Sequence, residues 1–176
     1  TMMVVDSLSG KKASFASKKT IIEVFKKNKS SSAKDENIDI NNRFKNNNIF
    51  IAIVGGGRLR AVYRSGNGGA NWTSLDIPQT TELGTVFGIH VGGQGNTHLS
   101  LAADPGNNNV CYIGGDRQVR LDESPAWAPG NPRWPNSLGA NNFTGRLFRI
   151  DATLAIGNQV NPITHVGTAS NSSPHA

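Results

Sequence analysis

The chain has 176 residues, a formal net charge of +6, 17% charged and 36% hydrophobic residues, 20 glycines and 8 prolines. This composition excludes coiled coils and long helical arrays, which need far more Ala, Glu, Lys and Leu, and no apolar run reaches the roughly 18 residues of a membrane-spanning helix. A single cysteine, Cys111, excludes an internal disulfide framework and a cysteine-based zinc site.

The charge is concentrated at one end. All nine lysines lie within residues 1–48, where ten basic and five acidic groups sum to +5; residues 49–176 carry only +1. A basic arm of this kind either meets an anionic polymer or surface or is a solvated linker too polar to bury itself. No aromatic residues alternate with the lysines as a base-stacking groove requires, so residues 1–37 read as a basic Lys/Ser-rich linker or tail, with no nucleic acid as partner. Within it, Lys18–Lys27 is a short apolar-centred element that fits a helix face or a strand equally. The chain opens on Thr1, has no signal-peptide apolar region and ends without a charged tail, and it is expected to be an internal piece of a longer protein.

Beyond the polar break Ser30–Glu36 the pattern is β throughout. Expected strands are Ile38–Ile40, Ile49–Val54, Arg60–Ser65, Trp72–Leu75, Val86–His90, His98–Ala103, Val110–Ile113, Gly145–Ile150 and Ile163–Val166, each bounded by Gly, Asn or Pro. The triplet Asn46–Asn48 before Ile49 recurs as Asn107–Asn109 before Val110, an offset of 61. Ala61–Ser65 is echoed by Arg146–Ile150 at an offset near 85, so the second unit carries an insertion, residues 117–142, rich in Pro and Trp. Repeated units of three or four short strands are the signature of propeller blades. The expected fold is all-β: about two blades of an incomplete β-propeller, preceded by a disordered or short-helical basic segment. Blade one spans about 38–80 and blade two about 86–166, within a partial propeller of residues 38–176.

One segment carries a resemblance. Ser65-Gly66-Asn67-Gly68-Gly69-Ala70-Asn71-Trp72 resembles the Asp-box, or BNR repeat, Ser-x-Asp-x-Gly-x-Thr-Trp. Ser65, Gly69 and Trp72 match, with Asn67 for Asp and Asn71 for Thr. Asp104–Gly114 is similar to the first hairpin of such blades. The second box is largely lost, since Asp151 stands where the serine would be. The box chemistry is structural: glycines supply positive φ, Ser65 and Asn67 bond local backbone, and Trp72 covers the turn. The family includes sialidases, endoglucanases acting on plant glucans, sortilin-type receptors, a photosystem assembly factor and blades of very large bacterial surface proteins. Gly114–Gln118, Pro135–Ala140, Phe143–Arg149 and Gly167–Ala176 are most similar to the last group. The resemblance implies an extracellular or cell-surface location, further blades of the same polypeptide, and glycan or protein partners.

Catalytic residues are not readable here. Phe148-Arg149-Ile150 resembles a sialidase motif, but Asp151 replaces its proline. Glu82 and Glu123 are the only glutamates of the β region, and Asp104, Asp116, Asp122 and Asp151 show no spacing that selects a glycosidase pair. The four histidines lack metal spacing, and Gly55–Gly57 and Gly92–Gly95 lack the Lys and helix of a phosphate cradle. No metal or cofactor is expected. One constellation stands out. If residues 105–109 turn a hairpin, its strands pair with indices summing to 214, setting His98 opposite Asp116 and beside Arg117, either as a hydrogen bond that closes the hairpin or as a polar ligand-binding site. The expectation is a non-catalytic propeller segment of a large exported bacterial protein; the alternative is a glycoside hydrolase fragment, sialidase-like or endoglucanase-like, with its catalytic residues largely outside this chain.

Overall fold

A computed structural model describes residues 2–6, 12–15, 48–141 and 144–163. These residues are all-β, with antiparallel sheets, none closed into a barrel, and no α-helix. No helix among them is long and apolar enough to cross a membrane.

The first sheet has the order β2-β1-β3-β4-β5, with β1 Met2–Asp6, β2 Lys12–Phe15, β3 Ile49–Gly55, β4 Arg58–Ser65 and β5 Thr73–Leu75. The second, β11-β10-β9-β8, is a four-stranded meander of β8 Ser100–Ala103, β9 Val110–Arg117, β10 Gly145–Asp151 and β11 Val160–Pro162. A separate hairpin, β6 Gln79–Glu82 with β7 Thr85–Gly88, lies between them in sequence. The strand expected at Ile38–Ile40 and the element at Lys18–Lys27 lie outside the described residues. Beside β3 lies β1, antiparallel and in register from Met2↔Ile53 to Asp6↔Ile49. The N-terminal segment read as a linker or tail therefore supplies two strands.

The sheets pack through one core. Phe50, Ala52, Val62 and Leu75 of the first and Leu101, Cys111, Ile113, Phe148 and Ile150 of the second form a single buried cluster. At roughly 1.5–3 kcal/mol per fully buried large aliphatic or aromatic side chain, this cluster is the main favourable term holding the sheets together. Counterparts sit beside counterparts: β1 lies against β8, Asn48 Nδ2 donates to the carbonyl of Asn108, and Asp76 N donates to Gln159 Oε1 at 2.9 Å.

Side chains alternate along a strand, so sheets stacked in the same sense must meet through opposite sides. The first sheet offers Phe50 and Ala52, the second Cys111 and Ile113. The other side of β3, Ile49 and Ile51 with Ile53, Tyr63 and Trp72, forms a separate cluster. Ile51 pairs with Tyr63 in the first sheet and Ile113 with Phe148 in the second.

Candidate functional site

One end of the stack gathers the β3–β4 turn, the loop 89–98, the end of β9, the start of β10 and the insertion. Its geometry begins with glycines. A Cβ on Gly57, which has φ +70°, would stand 1.9 Å from the Gly93 carbonyl oxygen, and one on Gly115 would stand 2.0 Å from that of Ile89. Those absences let the backbones meet: Gly95 N donates to Gly57 O at 2.8 Å, and Asp116 N to Ile89 O at 3.0 Å. The two glycine runs that lacked a phosphate-cradle context are thus where the two sheets are bridged.

Asp116 is 3% exposed. Its Oδ2 accepts the amides of Gly92 at 2.9 Å and Gln94 at 3.3 Å, fastening the loop, while Oδ1 is buried and makes no hydrogen bond. His90, 1% exposed, accepts the Leu59 amide on Nδ1 at 3.0 Å. Arg58 Nη1 donates to the His90 carbonyl at 2.9 Å. Burial pushes the His90 imidazole below its ordinary pKa of 6.5, against the opposing pull of the Asp116 carboxylate and the His98 carbonyl.

The expected pairing of His98 with Asp116 does not form. The predicted register holds, from Ser100↔Gly114 to Ala103↔Cys111, but β8 begins only at Ser100. Before it, Gln94 O accepts the amides of Thr97 and His98, both at 2.9 Å, curling the chain away from β9, and Ile89 takes the Asp116 amide instead. His90 is the histidine beside Asp116. Arg117 turns to Glu123, its Nη1 donating to Oε2 at 2.8 Å and its Nη2 to Oε1, and this partner raises its pKa. His98 is half-buried.

A second cluster lies alongside. Alternation in β10 turns Arg146 inward with Phe148 and Ile150, and the guanidinium lies 5.3 Å from the Phe148 ring centroid. Arg146 is 1% exposed. Burial brings its pKa down to about 10, with Glu82 and Asp116 opposing, so it stays cationic at neutral pH. It donates to Thr80 Oγ1 at 2.9 Å and to the Phe87 carbonyl at 3.3 Å, which docks the β6–β7 hairpin. Glu82, also 1% exposed, accepts Ser137 N at 2.8 Å and Ser137 Oγ at 2.7 Å, tying that hairpin to the insertion. Asn136 Nδ2 donates to Gln118 Oε1 at 3.0 Å and Val119 O at 3.1 Å. Chemically, the arrangement compensates buried charge with partners from the chain itself and so holds three long connections rigid. No three His, Cys, Asp or Glu side chains converge to hold a metal among the described residues.

Sequence reasoning missed His90, Glu82 and Arg146. Arg146 was within reach, because its spacing from Phe148 and Ile150 places it on the apolar side of a strand. Nothing local marks Glu82.

At the far end, Ser65 Oγ accepts the Gly69 amide at 2.8 Å and donates to Asn67 Oδ1 at 3.0 Å. Asn67 Oδ1 also accepts the Asn71 amide at 2.9 Å. Gly69 has φ +90° and packs below Trp72. No protein-family model, curated protein or solved structure matches the chain.

Proposed function

We propose that the chain is a non-catalytic stretch of a β-propeller in a large exported bacterial protein. Glycan or protein partners would meet it at the end where the β3–β4 turn, the 89–98 loop and the insertion converge. The observation that carries this reading is the stacking of two antiparallel sheets through one core, with β1 against β8, Asn48 bonded to Asn108 and Asp76 to Gln159. Sheets related in this way add around an axis instead of pairing off as a two-layer sandwich. Two cannot close a ring, which takes at least about four, so further blades of the same polypeptide are part of the proposal. The turn at Ser65–Trp72, with its positive-φ glycines and covering tryptophan, supports the BNR-type reading.

A glycoside hydrolase fragment has one observation in its favour, two buried carboxylates, Glu82 and Asp116, acting on one arginine. It ranks second because Glu82 already accepts three hydrogen bonds and Asp116 two, all from their own chain. The deciding experiment is to recover the coding sequence on both sides of this chain. A continuous frame with further Ser-x-Asp-x-Gly-x-Thr-Trp turns and an upstream export signal is the expected result. A start codon just before Thr1 and a stop just after Ala176 would overturn it.

A further inference from the structure

We propose that His90 is a proton-operated clasp between the two sheets: taking up a proton at mildly acidic pH expels the Leu59 amide from the imidazole and releases the 89–98 loop.

The geometry sets up two states. Nδ1 accepts the Leu59 N–H at 3.0 Å, so the resting ring is the neutral tautomer with its proton on Nε2. A second proton can go only to Nδ1. That converts the acceptor into a donor facing a donor, inside a site where the ring is 1% exposed. Leu59 belongs to β4 of the first sheet, and the loop carrying His90 is fastened to β9 of the second by Asp116. The bond that breaks is therefore one of the ties between the sheets.

The charged and titratable groups facing the ring are Asp116 from β9, Arg58 from β4 and His98 from the loop itself. Asp116 favours the imidazolium; Arg58, and His98 when charged, oppose it. Desolvation outweighs them and favours the neutral ring. The sign follows. The unfolded or released histidine binds its proton near 6.5 and the clasped one only at lower pH, so the clasp is intact above 6.5 and weakens as pH falls below it. Both sheets and the loop lie within this chain, so the clasp does not depend on the propeller reading.

The test is residue-resolved amide exchange on the full chain at about pH 7.5 and about pH 5, corrected for intrinsic rates. Protection of the Leu59, Gly92 and Gln94 amides is expected to be lost together in acid. Ile113, at the centre of the second sheet, should hold its protection. His90→Asn keeps an acceptor near the Nδ1 position but does not titrate, and should abolish the difference. An unchanged Leu59 amide in the wild type, or a response of equal size in His90→Asn, would overturn the clasp. Should that variant not fold, the wild type alone decides: the His90 ring proton and the Leu59 amide shifts must titrate with one midpoint, below 6.5, and separate midpoints sink the idea.

Discussion

At Ser65 a single hydroxyl closes a whole turn. It accepts from Gly69 and Asn67 and donates to Asn67 Oδ1, while being 1% exposed. Ser65→Ala removes the acceptor of the Gly69 and Asn67 amides and should cost about 1 kcal/mol, read as a lowered urea midpoint. Asn67 uses its Oδ1 only as an acceptor, from Ser65 and Asn71. Asn67→Asp should therefore fold, and charge-assisted bonds should make it neutral to about 1 kcal/mol more stable at neutral pH; marked destabilisation would show that the side-chain amide has a role of its own. Gly57 is the opposite case, where the missing atom matters. With φ +70° and 1.9 Å to the Gly93 carbonyl, Gly57→Ala should cost on the order of 3 kcal/mol in the same measurement. The glycine cluster was plain in the sequence; that it lets two backbones touch was not, because the partner lies in a loop over thirty positions away.

Among the elements, legibility followed how each strand earns its burial. β3, β4, β9 and β10 are apolar runs or alternations whose own side chains form the core, and the sequence marks them. The strand β6 reads Gln-Thr-Thr-Glu and carries no apolar signal. It is a strand because Arg146 and Ser137 receive its polar groups, and both are remote in sequence. His98 was misplaced for a related reason: register arithmetic fixes partners only while the ladder lasts, and a turn at Gln94 ends it two residues early. The insertion depends on the same polar logic. Glu82→Gln keeps an oxygen for the Ser137 amide but removes the charge that strengthens these bonds and faces Arg146, and should loosen residues 118–141 while leaving both sheets in place. Limited proteolysis should then cut within the insertion at least several-fold faster, with little change in the global melt. Equal cleavage would mean that its other ties, such as Ser124 Oγ to Thr85 Oγ1 at 3.0 Å, hold it without that charge.

For the whole molecule, acid acts in two stages of the same sign. His90 binds its proton more weakly folded than unfolded, so stability present above 6.5 declines as pH falls below that value. The Asp104 carboxyl is held below its ordinary 3.8, chiefly by the Tyr112 hydroxyl, and Asp151 likewise by Thr153. Their contribution is present above 3.8 and is lost only as pH drops through their folded values. Urea midpoints followed from about pH 8 to about pH 3 should show a first decline below 6.5 and a second below 3.8. A flat profile above 5 would leave His90 without thermodynamic weight. At this scale the all-β class was legible, because short apolar strands broken by Gly, Asn and Pro leave no room for a long helix.

Cys111 sits fully buried in the core shared by the two sheets, and burial pushes its thiol pKa up to about 12. At neutral pH it is neither a thiolate nor within reach of a reagent. The molecule therefore carries its own stopwatch. A maleimide added to the native chain waits for the sheets to part, and with reagent in excess the rate at which label appears is the rate of that parting. Because the chain has no second cysteine, every label counts one separation, and the same tag gives a position for a fluorophore or a tether that reports on the seam alone.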